Sequence, residues 1–217
     1  MLDSYVAQTR LLLHDPNGTL YPTVSLTTYV NEARQQVALE SQSVRGLINY
    51  TLPAATQSVP LASLVPPANV QAIFAFRQVW SGTTNLAIRD WSYFASFLLD
   101  AGPGTISRDC SQYSVGLTAI MYTSPVGTGP QVLRIDSVGL PINLVDDSTV
   151  EVLPVPWQSC VKYFAAYLAY CNAQRMQDAD RMFKLFEMFM ARASMMTKPT
   201  RLPDKYDKDW SGGKSGA

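Results

Sequence analysis

Apolar positions recur at helical spacing at both ends of the chain and give way to short apolar runs in the middle. Near the start, Tyr5, Thr9, Leu12 and Leu13 share one side of a helix expected over residues 3–14, with Asp3 or Ser4 able to cap its first turn. The run His14-Asp15-Pro16-Asn17-Gly18 stops that helix, because proline and glycine cannot continue it cheaply. A second helix is expected over 25–41, capped by Ser25. Leu26, Tyr29, Val30, Ala33 and Val37 form its apolar stripe; Asn31, Glu32, Arg34, Gln35 and Gln36 fill the other face. Two helices joined by such a turn predict an αα-hairpin.

After Gly46 the character changes, with prolines 53, 60, 66 and 67 breaking up short apolar segments. Leu47–Leu52, Val70–Trp80, Ser114–Tyr122, Val132–Ser137 and Thr149–Leu153 read as strands, being rich in β-branched and aromatic residues and bounded by turn residues. Residues 90–100, with Trp91, Phe94, Ala95 and Leu98, read as a helical interruption. Helical spacing returns at about 157: Val161, Phe164, Ala165 and Leu168 share one face, and Tyr163, Tyr167 and Tyr170 share another. The chain is expected to turn near Gln177, with Asp178 capping a last helix that reaches Thr197. In that helix Met182, Leu185, Phe186, Phe189, Ala193 and Met196 follow helical spacing, and Phe183 and Met190 widen the apolar surface until it needs cover on several sides. Residues 198–217 hold two prolines, mixed charge, Tyr206, Trp210 and Gly212-Gly213, too little to build a core.

These elements define an α+β chain: an N-terminal helical hairpin over 1–46, a β-rich insertion over 47–153, C-terminal helices over 154–197 completing a helical bundle, and an extended arm over 198–217. Composition adds that 47% of residues are apolar, ample for a core, while charged residues make up 16%, below the roughly 25% usual in soluble domains. Basic and acidic residues balance at 17 each, so no overall basic excess drives nucleic-acid binding. The opening Met1-Leu2-Asp3-Ser4 lacks a basic leader, and no apolar run reaches the length of about 18 residues expected of a membrane span. Cys110, Cys160 and Cys171 are odd in number and without C-x-x-C spacing, which favours reduced thiols over a disulfide framework.

Candidate chemistry is sparse. His14, the only histidine, stands at a helix C-terminus, where capping explains it. Cys160 and Cys171 fall on one helix about 16 Å apart by helical rise, too far to share a zinc ion. Gly212-Gly213-Lys214-Ser215 echoes a phosphate-binding loop, but Lys208 stands where the earlier glycine belongs and no strand precedes it. Asp204, Asp207 and Asp209 alternate with Lys205 and Lys208 as self-neutralised pairs rather than a calcium loop. Asp146-Asp147 reads as a turn, and the tyrosine face of 163, 167 and 170 as core or interface rather than a ligand platform. No nucleophile, base and stabiliser can be assembled, so no enzyme, metal or cofactor is expected.

Several of these segments together resemble the head-to-tail adaptor proteins of tailed bacteriophages. Residues Tyr5 to Val37 carry the likeness through an R-x-L-L-like run at Arg10 to Leu13, D-P-N-G at Asp15 to Gly18, and N-E-A-R-Q-Q at Asn31 to Gln36. The C-terminal part adds P-x-P-W at Pro154 to Trp157, YFAAYLAY at Tyr163 to Tyr170, and the DADRMFKLFEMFMARA helix from Asp178. The resemblance implies a structural virion protein of the neck, assembled in the host cytoplasm. It implies a ring of about twelve copies beneath the portal protein, meeting a tail or nozzle protein and forming part of the DNA conduit, with no membrane involved. In this family the C-terminal arm docks onto the portal. Here that arm is 198–217, with Tyr206 and Trp210 as aromatic anchors and Arg201 and Lys205 beside them. Cyclic symmetry requires a heterologous interface between neighbours, and the wide apolar helix around Phe183 to Met190 is the candidate for that contact or for the core beneath it. The competing readings are another neck or tail-completion protein, and a carbohydrate-binding module on the insertion using Trp80, Trp91 and Tyr93.

Overall fold

The structure, a computed structural model, describes residues 1–53, 58–82, 84–88, 112–115, 119–122 and 131–197. Among the described residues it is a mixed α+β fold with four α-helices, a main sheet whose three long strands are antiparallel, and a second small sheet. Helix α1 spans Leu2–Leu12 and α2 spans Thr23–Ser41. After the strands come α3, Val155–Asn172, and α4, Met176–Thr197.

Helix α3 is central and touches α1, α2 and α4. Its sequence explains this: Cys160, Val161, Ala165, Ala166 and Ala169 are all fully buried, and the alanines let neighbouring backbones come close. Pro156 in its first turn starts the helix without wasting a donor. The shared core joins Tyr5 and Val6 of α1, Leu26, Val30, Ala33 and Val37 of α2, and Phe186 and Met190 of α4.

The turn after α1 owes its shape to one carboxylate. Asp15 Oδ1 accepts from Thr19 N (2.9 Å) and Thr19 Oγ1 (3.0 Å), and Oδ2 accepts from Leu20 N (2.9 Å) and Tyr21 N (2.8 Å). Burial opposes the charge, but these four donors outweigh it and hold the carboxyl below its ordinary pKa. His14 ends α1 with φ +55°, a left-handed residue where glycine is usual. The expected caps fall elsewhere: α1 starts after Met1 and α2 after Pro22, neither with a side-chain cap, and Ser25 lies within α2. Asp178 likewise lies inside the first turn of α4, paired with Arg175 at 2.5 Å.

The strands are β1 (Arg45–Leu52), β2 (Ser58–Pro60), β3 (Val70–Ser81), β4 (Thr84–Asn85), β5 (Ala87–Ile88), β6 (Gln112–Val115), β7 (Ala119–Tyr122) and β8 (Gln131–Pro141). The main sheet runs β1-β8-β3, extended by β4; a second small sheet runs β2-β7-β6-β5. The single strand expected over 114–122 is therefore two, β6 and β7, paired antiparallel with Val115 opposite Ile120. The strand expected over 149–153 is absent: this segment is turn and coil, folded around the Asp146 carboxylate and returning Leu153 to the helical core. Its β-branched residues follow a pattern that burial against helices satisfies equally well. The expected helix over 90–100 lies outside the described residues.

In β3, Val70, Ile73, Phe76 and Val79 recur every third residue, a spacing that would alternate faces on a regular strand. Three register shifts against β8 resolve this. Val70 stands opposite Pro141, Ile73 opposite Gly139, Phe76 opposite Ser137 and Val79 opposite Ile135. Three residues of β3 thus span two of β8 at each step, so Ile73, Phe76 and Val79 stay on one face and share a core with Ile48, Val59, Leu64, Leu86, Leu133 and Ile135. Gly139 is required for this pairing, since a Cβ there would run into Val70 Cγ1 and the Ala72 carbonyl.

Candidate functional site

Two features stand out from the scaffold: an apolar seam along α3 and α4, and a buried polar joint between α2 and the segment that leaves β8.

The seam is an antiparallel ladder of rings. Tyr163 stacks on Phe189 with centroids 4.6 Å apart, Phe164 meets Phe186 at 4.9 Å, and Tyr167 meets Phe183 at 5.2 Å. Offset and tilted pairs of this kind contribute about 0.5–1.5 kcal/mol each beyond their area. The expected tyrosine face is therefore divided: Tyr163 and Tyr167 pack on α4, whereas Tyr170 is buried and donates its hydroxyl to the Leu12 carbonyl at 3.0 Å, fastening α1 to α3.

Of the wide apolar surface on α4, Met182, Phe186, Met190 and Ala193 face the core. A second stripe lies roughly 120° around the helix by its 3.6-residue period. It runs through Leu185, Met188, Phe189, Met195 and Met196, interrupted by Arg192. Leu185 and Phe189 are half-buried; Met188 is 56% exposed, Met195 73% and Met196 68%. A row of flexible thioethers beside half-exposed rings is a surface that adapts to a partner. Where α4 ends, a shallow open depression is lined by Glu40, Ser41, Trp157, Met190, Ser194 and Thr197.

The joint is centred on Arg34, whose side chain is fully buried. Its Nε and Nη2 donate to the two carboxylate oxygens of Glu151 at 2.8 Å each; Nη1 donates to the Ile142 carbonyl at 2.8 Å and to Asn31 Oδ1 at 3.2 Å. Asn31 in turn accepts from Leu144 N (2.8 Å) and donates to the Leu144 carbonyl (3.1 Å). Burial works to raise the Glu151 pKa, but the Arg34 and Leu153 donors outweigh it and leave the carboxyl below its ordinary value. The Tyr5 hydroxyl lies buried beside the same carboxylate without a hydrogen bond of ordinary geometry. Burial first, and then the negative charge of Glu151, push its pKa above the ordinary phenol range.

This joint corrects the expectation that Arg34 and Asn31 belong to a solvent face. The spacing held the signal: Arg34 is four residues beyond Val30 and eight beyond Leu26, both fully buried. Polarity suggested the surface, and helical period places the residue inside. No sequence pattern marks Glu151 as its partner, since the pairing spans 117 positions.

The arm residues Arg201, Lys205, Tyr206 and Trp210 lie outside the described residues, as do Trp91 and Tyr93. Trp80 stands in β3 opposite Arg134 and Asn85. Cys160 is buried, and burial pushes its thiol up to about 11; Cys171 is half-buried. Among the described residues, no group of three or more His, Cys, Asp or Glu could hold a metal ion, and no helix is long and apolar enough to cross a membrane. In comparisons with known proteins, no family model and no curated protein matches this chain.

Proposed function

We propose that this chain is a structural virion protein, a head-to-tail adaptor whose copies form a ring beneath the portal and carry part of the DNA conduit. In this reading the four helices act as a bundle, the strands form the β-rich insertion, and residues 198–217 act as an extended arm. The arm reaches the portal, with Tyr206 and Trp210 as anchors and Arg201 and Lys205 beside them. The single observation that carries the reading is the shared core. The two chain segments that bear the adaptor resemblance, 5–37 and 154–193, pack on each other with the strands emerging between them.

The ring contact falls on the outer stripe of α4. Closed cyclic symmetry joins two different surfaces of neighbouring subunits, and an exposed row of Met188, Met195 and Met196 beside Phe189 gives one of them an apolar centre. The depression at the end of α4 includes Thr197, the last described residue, at the end of the helix where this stripe finishes.

The test is electron microscopy and sedimentation of the protein mixed with the portal protein, with and without residues 198–217. A coaxial ring on the portal, lost on truncation, is the expected result. A full-length chain that stays monomeric and ignores the portal at all concentrations would refute the reading; a truncated chain that still binds would refute the arm assignment.

A further inference from the structure

The balanced net charge of the sequence hides a separation of charge in the fold. The described strands carry three arginines, Arg45, Arg77 and Arg134, and one acidic residue, Asp136. All three arginines are exposed on the side of the main sheet opposite its core. On β8, Arg134 and Asp136 are two residues apart and so share a face, opposite Leu133 and Ile135; on it Arg134 is exposed, whereas Asp136 and Val138 are buried. On β1, Arg45, Leu47 and Asn49 are exposed while Ile48 between them is buried, and Asn49 stands opposite Arg134. Arg45 pairs with the Asp136 carboxylate, which marks both for this face. Arg77 and Gln78 line one open depression with Arg45 and Gln42, and Arg77 donates to Gln42 Oε1 at 2.7 Å.

Asp136 neutralises Arg45, whereas neither Arg77 nor Arg134 is paired with a carboxylate among the described residues. Two guanidinium groups without a carboxylate partner among the described residues thus stand on this side of the sheet, with the amides of Gln42, Asn49 and Gln78. The row of Arg134 lies about 7 Å along β8 from the row of Asp136 and Gln78, at about 3.4 Å per residue. The planar guanidinium fork suits a phosphate, and side-chain amides donate to phosphate oxygens without reading sequence.

We propose that this sheet face holds the phosphate backbone of a nucleic-acid duplex through Arg77 and Arg134, without sequence preference. The inference rests on the adaptor reading only for the source of the duplex, which there is the DNA passing through the ring. The contact is weak by design of its charges: two phosphates per subunit, with Asp136 limiting the grip, allow a duplex to slide.

The test is fluorescence anisotropy of a labelled mixed-sequence DNA duplex with the full-length protein over a salt series. Raising salt from about 50 to about 200 mM should weaken wild-type binding about tenfold more than binding by R77Q/R134Q, since each phosphate contact contributes about 0.9 to the logarithmic slope. R77K/R134K should keep the slope, and R181Q/K184Q, which removes two charges from α4, should leave it unchanged. D136N frees Arg45 and should tighten binding. Circular dichroism of each variant confirms the fold. Absence of wild-type binding at low salt overturns the proposal, as does equal salt dependence in wild type and R77Q/R134Q, or binding of a polyglutamate peptide in preference to DNA. Sedimentation of the same samples separates this from the ring reading. Arginine-dependent binding by a monomer keeps the sheet face and sinks the adaptor; a ring indifferent to DNA does the reverse.

Discussion

Replacing Arg34 with methionine keeps most of the side-chain length and removes the charge from the joint. Glu151, 4% exposed, is then left without its guanidinium partner, and the Ile142 carbonyl loses its donor. Removing one member of a buried ion pair costs about 3–5 kcal/mol. With a urea dependence of about 2 kcal/mol per molar, typical of a domain this size, the unfolding midpoint should fall by about 2 M. The double variant R34M/E151M removes both charges and should regain part of the loss, because no buried charge remains, although the Ile142 carbonyl and the Leu153 N–H stay without their partners. The pH dependence should change sign. In the wild type the Glu151 carboxyl sits below its unfolded value, so its stabilisation is present above that value and fades as pH falls through the folded one. In R34M only the Leu153 N–H and the Tyr5 hydroxyl still work against burial, the largest influence on this carboxyl, so the folded pKa rises above the unfolded one and acidification stabilises the variant instead. The assay is urea unfolding followed by circular dichroism between about pH 3 and pH 8, the span of ordinary carboxylate titration and neutrality. An R34M midpoint within about 0.5 M of wild type, or a double variant no more stable than R34M, would show that the joint is not the isolated buried pair described here.

Three further outcomes follow from other residues. Asp15→Ala removes the acceptor of four hydrogen bonds, so amide hydrogen exchange at Thr19, Leu20 and Tyr21 should accelerate while α3 amides keep their protection; unchanged protection at those three amides would contradict the role given to this carboxylate. Gly139→Ala forces a methyl group against Val70 and the Ala72 carbonyl and should cost about 1–3 kcal/mol, read as a lowered thermal midpoint; a neutral substitution would mean that β3 can drift away from β8. At neutral pH a thiol reagent should label Cys171 first in a Cys110→Ser background, with Cys160 reacting only on unfolding, since burial holds its thiol near 11; labelling of Cys160 at the rate of a free thiol would refute its burial.

The sequence by itself determined the four helices and most of the long strands, because apolar period is a local property: Leu26, Val30, Ala33 and Val37 mark one helix face wherever the helix packs. It also marked the turn at Asp15 to Gly18, whose residues are chosen for that turn's backbone. Tertiary structure alone decided which polar residues go inside. Arg34 becomes a core residue only because Glu151, remote in sequence, arrives with two oxygens at 2.8 Å. The every-third-residue pattern of β3 becomes a single face only through its register shifts against β8. Residues 149–153 failed as a strand because no strand among the described residues offers them a ladder, and Val152 and Leu153 pack on the helices instead. The two sheet arginines gained meaning the same way. A balanced total charge carries no address, and only the pairing of strands brings Arg77 and Arg134 to one open face while Asp136 claims Arg45. Local period is written in each segment; partnership between distant segments is an energy that exists only once the chain has closed on itself.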